Sequence, residues 1–149
     1  MFGRRRSKSG DNGGGAGNRG SWPRLELRAA GGGGLEDLIS AMEKTGDESR
    51  SGRAQSQVQY AALVVRARDA ANSCRSKFVG IFYAPEAASP RAKAVAAQHR
   101  TTIMGSGSLL IRGAHVEFEV QDLQDLTAAE IVQKLLASGG AHAASTFVL

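Results

Sequence analysis

Residues 78–83, Phe78-Val79-Gly80-Ile81-Phe82-Tyr83, place three of the chain's seven Phe and Tyr residues in six consecutive positions. A run this short, apolar and aromatic reads as a strand buried on both faces, against which the rest of the chain must pack. A second candidate lies upstream. Val58, Tyr60, Ala62 and Val64 on one parity and Ala61, Leu63 and Val65 on the other are apolar before the run turns polar at Arg66 and Arg68. That is the pattern of a central strand whose end emerges into water, and the two strands are expected to be neighbours.

The helices announce themselves by spacing and by caps. Leu35, Leu38, Ile39 and Met42 fall at i, i+3, i+4 and i+7, which predicts an amphipathic helix that Gly46 can end. Ser89-Pro90 predicts a second helix start, since Ser89 can accept from orphan amides and Pro90 has a preset φ and no donor to lose. That helix is expected to run to about Gln98 with a small buried face of Ala92, Val95 and Ala96. Thr127 and Glu130 form a capping box, with Leu126 and Ile131 at the staple positions, ahead of an apolar stripe of Ile131, Val132, Leu135 and Leu136. Strict alternation at Ala114, Val116, Phe118 and Val120 predicts a half-buried strand. Weaker strand patterns occupy residues 25–28, 101–104 and 108–112, and Arg112-Gly113 reads as a turn.

These elements predict an α+β domain: a single mixed or mainly antiparallel sheet, covered mainly on one side, packed with about three helices, with α/β as the alternative. Residues 1–21 are expected to be a disordered, basic, glycine-rich arm, residues 22–138 one globular domain with an exposed loop at 46–56, and residues 139–149 a flexible tail. At 149 residues the chain can bury a core without staples. The single cysteine, Cys74, excludes an internal disulfide and fits a reducing compartment. With no apolar run of about 18 residues and no apolar segment behind Arg4, the chain is expected to be neither membrane-spanning nor secreted.

Chemistry is harder to find. Gly31 to Gly34 lie between a strand pattern and a helix, but Glu36 stands where a dinucleotide fingerprint needs glycine, and Glu36 and Asp37 would repel phosphate. His99, His115 and His142 share no metal spacing, and no nucleophile stands beside a base. No catalytic residue, cofactor or metal is therefore expected. The net charge of +5 is concentrated in the arm, where Arg4, Arg5, Arg6, Lys8 and Arg19 face Asp11 alone. Such an arm favours anionic membrane or nucleic acid, with Arg66, Arg68, Arg75 and Lys77 as a secondary basic set.

In layout the chain resembles a small matrix protein of a negative-strand RNA virus, of the rhabdovirus kind. A basic arm precedes a strand at 25–28, a helix at 35–45, a loop at 46–56, apolar strands through 60–83, and a strand then a helix at 116–137. The resemblance implies a non-enzymatic, self-associating structural protein of the virion and host cytoplasm. Its arm residues Arg4, Arg5, Arg6 and Lys8 would contact membrane or nucleoprotein. The proline-rich budding motifs of that family are absent, Tyr83-Ala84-Pro85-Glu86 being the nearest. The alternatives are an RNA-binding accessory protein, either a viral suppressor or a nuclear factor, and a small α/β enzyme without an identifiable site.

Overall fold

The computed structural model describes residues 25–47, 57–105, 113–139 and 144–149. Helix α1 (Gly34–Asp47) leads to strands β1 (Gln59–Asp69) and β2 (Cys74–Tyr83), then helix α2 (Pro90–Met104) and strand β3 (Val116–Val120). A short 3-10 turn, helix α3 (Ala128–Ala137) and strand β4 (Ala144–Val148) complete the order. The four strands form one mixed sheet in the order β3-β2-β1-β4. The two strands read as central neighbours are so: β1 pairs β2 antiparallel over ten residue pairs, from Gln59 with Tyr83 to Arg68 with Cys74.

Period-2 alternation divides the sheet into two unequal faces. Ala61, Leu63, Val65, Val79, Ile81, Val116, Phe118 and Val120 point to one side and meet Leu35 and Met42 of α1 and Ile131 and Leu135 of α3. Ile81, Ile131, Val65 and Val79 are fully buried, each worth about 1.5–3 kcal/mol of transfer free energy. On the other side a smaller cluster joins Phe82 and Ala84 to Ile103 and Met104 of α2, with Val58, Tyr60 and Ala96 packed against it. The larger cluster needs two helices because three strands contribute to it.

Local signals set the helix starts. The Ser89 hydroxyl accepts from the Ala92 amide at 3.2 Å, and the Thr127 hydroxyl from the Glu130 amide at 3.3 Å. Leu126 and Ile131 both bury, as the staple requires. Lys134 of α3 donates to the Glu117 carbonyl at 2.8 Å and lies 4.3 Å from the centre of the Phe118 ring, which ties α3 to β3.

Three expectations are corrected. Residues 101–104 continue α2 instead of forming a strand, because Ile103 and Met104 bury only if the helix carries them under Tyr60 and Phe82. The same two anchors fix the helix rotation, so that of the expected buried face Ala96 turns inward while Ala92 and Val95 face outward. β3 lies parallel to β2, with α2 in the crossover between them. Residues 144–148, expected within a flexible tail, form β4, which pairs antiparallel with β1 at Arg66 to Asp69 and seats Phe147 against the main core. Residues 25–28 have no strand partner, and Leu25 and Leu27 are exposed. The strand pattern at 108–112 and residues 48–56 of the expected loop lie outside the described residues. No described helix is long and apolar enough to cross a membrane.

Candidate functional site

Of the three helices, α2 is the one whose sequence obeys stability least. Both α1 and α3 place acids in the first turn, Glu36 and Asp37 in one and Glu130 in the other, as the helix dipole favours. In α2 the first turn has no acid and carries Arg91 and Lys93 instead. Its apolar stripe is weak, and its fully buried residues are confined to Ile103 and Met104 at the far end. A local rule broken without a gain in packing is the kind of departure expected at functional or strained sites.

Polar anchors hold this helix where packing does not. Its inward stripe is Lys93, Ala96, Arg100, Ile103 and Met104. The Lys93 ammonium donates to the Glu86 carbonyl at 3.3 Å, and the Tyr60 hydroxyl donates to the Ala96 carbonyl. Burial pushes the Tyr60 pKa up, against a smaller opposite pull from Arg100. Arg100 is the main clamp: its guanidinium reaches Glu119 at 2.6 Å and Glu117 at 3.3 Å on β3 and lies over the Phe82 ring at 5.3 Å. Glu117 and Glu119 share a face as their alternation required, but they serve as anchors for α2.

With Arg100 satisfied by two carboxylates and Lys93 held inward by the Glu86 carbonyl, the charge left on the outward face is that of Arg91. The outward stripe reads Arg91, Val95, Gln98 and Thr102, and Val95 is 37% exposed. Ala92, Ala94 and Ala97 stand exposed beside it. Side chains this small allow a partner's backbone or helix to approach closely, so the surface is a smooth, weakly apolar ridge with a basic end.

The residues singled out from sequence lie elsewhere. Arg4, Arg5, Arg6, Lys8 and Arg19 are outside the described residues. Arg66, Arg68, Arg75 and Lys77 do not make one patch. The register sets Ser76 opposite Arg66 and Cys74 opposite Arg68, whereas Arg75 faces Ala67 and Lys77 faces Val65. Cross-strand partners share a face, so Arg66 and Arg68 lie on one side of the sheet and Arg75 and Lys77 on the other. Sequence reading used Ser89-Pro90 to start a helix and passed over Arg91 and Lys93. The missing acid in that first turn was the available signal.

His115 is no idle surface group. Its Nδ1 accepts from the Phe78 amide at 3.0 Å, its amide donates to the Phe78 carbonyl at 2.8 Å, and its ring stacks on that of Phe78. Burial lowers its pKa, with Lys77 acting in the same direction. The acceptor role requires neutral Nδ1, and the unfolded chain binds the proton more readily. This contribution to stability is therefore complete above the unfolded value of about 6.5 and is lost as pH falls through the lower folded value. Urea midpoints measured from pH 7.5 to 5.5 are expected to fall more steeply for the native chain than for His115→Gln. Equal slopes would remove His115 from this role.

Three comparisons bear on what the α2 surface serves. Residues 23–136 match the model of the family described as cofilin/tropomyosin-type actin-binding protein. Among solved structures the chain is similar to coactosin from Entamoeba histolytica, at 27% identity and a TM-score of 0.58, over 74% of this chain and 69% of that one. No curated protein matches the sequence. These matches overturn the resemblance to a viral matrix protein, which rested on element order alone. With it fall the expectations of a virion component, of self-association, and of membrane, nucleoprotein or RNA as partner, and the alternatives of a nucleic-acid-binding accessory protein and a small enzyme.

Proposed function

Because this chain belongs to the cofilin/tropomyosin-type actin-binding family, we propose that it binds actin, with the outward face of α2 as the principal contact. It is a binding protein and not an enzyme. The observation that carries the reading is the first turn of α2, where Arg91 and Lys93 oppose the helix dipole and Ala92, Ala94 and Val95 stand exposed between and beyond them. Basic charge at one end of a smooth ridge suits an acidic surface with a shallow apolar groove. Such an interface takes its energy from the few side chains at its centre, here Val95 and Arg91. On this reading the protein works in the cytoplasm.

The test is co-sedimentation with filamentous actin, repeated with monomeric actin by fluorescence titration. The native chain is expected to bind at least one form. The pair Arg91→Glu with Val95→Asp reverses one charge and puts another on the ridge, and is expected to weaken binding by a factor of about ten to a hundred, or about 1.4–2.7 kcal/mol. Both sites are exposed, so thermal unfolding should move little. A native chain that binds neither form of actin would overturn the reading, and undiminished binding by the double variant would remove α2 as the contact.

A further inference from the structure

Among the described residues, one stretch of β1 has no strand beside it. Phe78 exchanges backbone hydrogen bonds with His115, and the Ala84 amide donates to Val120, so the even-numbered residues of β2 aim their backbone groups at β3. The odd-numbered residues then serve β1, where their partners are Gln59, Ala61, Leu63 and Val65. On β1 the even-numbered residues must aim away from β2. Arg66 and Arg68 meet β4 there. Tyr60, Ala62 and Val64 aim the same way, and no described strand pairs with them. Among the described residues, a strand at the centre of the sheet thus has a row of donors and acceptors that no other strand meets, a condition that proteins ordinarily cover.

We infer that residues 25–28 are a strap that closes this place, as a fifth strand parallel to β1 along Tyr60 to Val64. Four observations converge on it. The segment Leu25-Glu26-Leu27-Arg28 alternates as a half-buried strand does, yet leaves Leu25 52% and Leu27 79% exposed. Its tether starts at the right point. The β1–β4 register continued by one residue sets Leu149 beside Val65, and a Cβ on Gly34, where α1 begins, would collide with the Leu149 backbone. The chain therefore enters α1 next to the end of the open stretch, and residues 29–33 bridge the short gap to the sheet edge. Finally, the family match opens at residue 23, so the segment belongs to the matched unit.

Topology supplies the direction. A strand at 25–28, helix α1 and then β1 make a parallel crossover, with more than the dozen connecting residues that such a unit requires. Relative to β2–α2–β3, the strand direction is reversed and the helix lies on the opposite face, while the step across the sheet has the same sense. Two reversals leave the hand unchanged, so both crossovers take the one hand that the handedness rule allows. Leu25 and Leu27 then face α1, where Leu38 and Ile39 are only half-buried against the core. Glu26 and Arg28 face the side on which Val64 is left bare by α2.

Amide hydrogen exchange by NMR on the full chain tests the strap without reference to actin. Amides of Tyr60, Ala62 and Val64 are expected to be protected, and Leu27→Pro to speed their exchange by about tenfold or more. The amides of Ala61, Leu63 and Val65, bonded to β2, are expected to be unchanged, which separates strap release from unfolding. Exchange of Tyr60, Ala62 and Val64 at unprotected rates in the native chain overturns the inference. So does protection unmoved by Leu27→Pro, and so does protection that rises with protein concentration, since that would assign the place to another chain.

Discussion

Ile81→Ala is expected to lower the free energy of unfolding by about 3–4 kcal/mol, while Val64→Ala on the adjoining strand is expected to cost less than about 1 kcal/mol. Both are β-branched residues in the two central strands, and by composition they are equivalent. Ile81 is fully buried, in the larger core cluster with Phe118 and Ile131. Truncation there removes about three methylenes' worth of transfer free energy and opens a cavity that a sheet held by β1 and β3 cannot collapse to fill. Val64 is 51% exposed, on the α2 side of the sheet but beyond the part that α2 covers, so its loss leaves no cavity. Urea denaturation with a common m-value measures both, and comparable losses at the two sites would contradict the division of the sheet into a larger and a smaller covered face.

Gly34→Ala is expected to destabilise the protein by about 2–3 kcal/mol, and Gly32→Ala to change stability by less than about 0.5 kcal/mol in either direction. Gly34 has φ +82°, a left-handed conformation that an L side chain resists. Its Cβ would also collide with the carbonyl carbon and oxygen of Leu149, and these are backbone atoms that directly follow β4. The contact can be relieved only by moving α1 or the end of β4. A Cβ on Gly32 meets nothing within 4 Å. Thermal unfolding of the two variants separates these cases, and equal midpoints would mean that α1 and β4 do not meet at Gly34.

The parts of the fold legible in sequence are those fixed by near neighbours. The run 78–83 and the alternation at 116–120 set strands because a pleated backbone sorts side chains to two faces at period 2. Ser89-Pro90 and Thr127 set helix starts because the orphan amides they serve lie within three residues. The end of α2 was not legible: Thr101, Thr102 and Ile103 favour a strand locally, and only the distant pocket beneath Tyr60 and Phe82 rewards the helix. β4 was not legible either, since Ala144, Ser145 and Thr146 bury little and the strand is held by backbone pairing to β1 and by the single anchor Phe147.

The candidate site divides in the same way. Charge content pointed to the arm and to Arg66, Arg68, Arg75 and Lys77, but counting charges does not reveal which side of a sheet they take. The four split between two faces, and the basic residue that matters for the proposed contact, Arg91, sits where a helix disfavours it. A layout shared with viral matrix proteins misled because element order is common to many folds, whereas function resides in one surface.

What the sequence determined by itself is the strand at 78–83, its neighbour β1, the caps of α2 and α3 and the α+β class, all consequences of periodicity and hydrogen bonding within a few residues. What only the tertiary structure decided is the parallel placement of β3, the rotation of α2, the pairing of β4 and the distinction among Gly31 to Gly34. Each of these depends on a contact between residues far apart in the chain, such as Met104 with the second core cluster or Gly34 with Leu149, and no local pattern encodes which distant surface will be there to meet it.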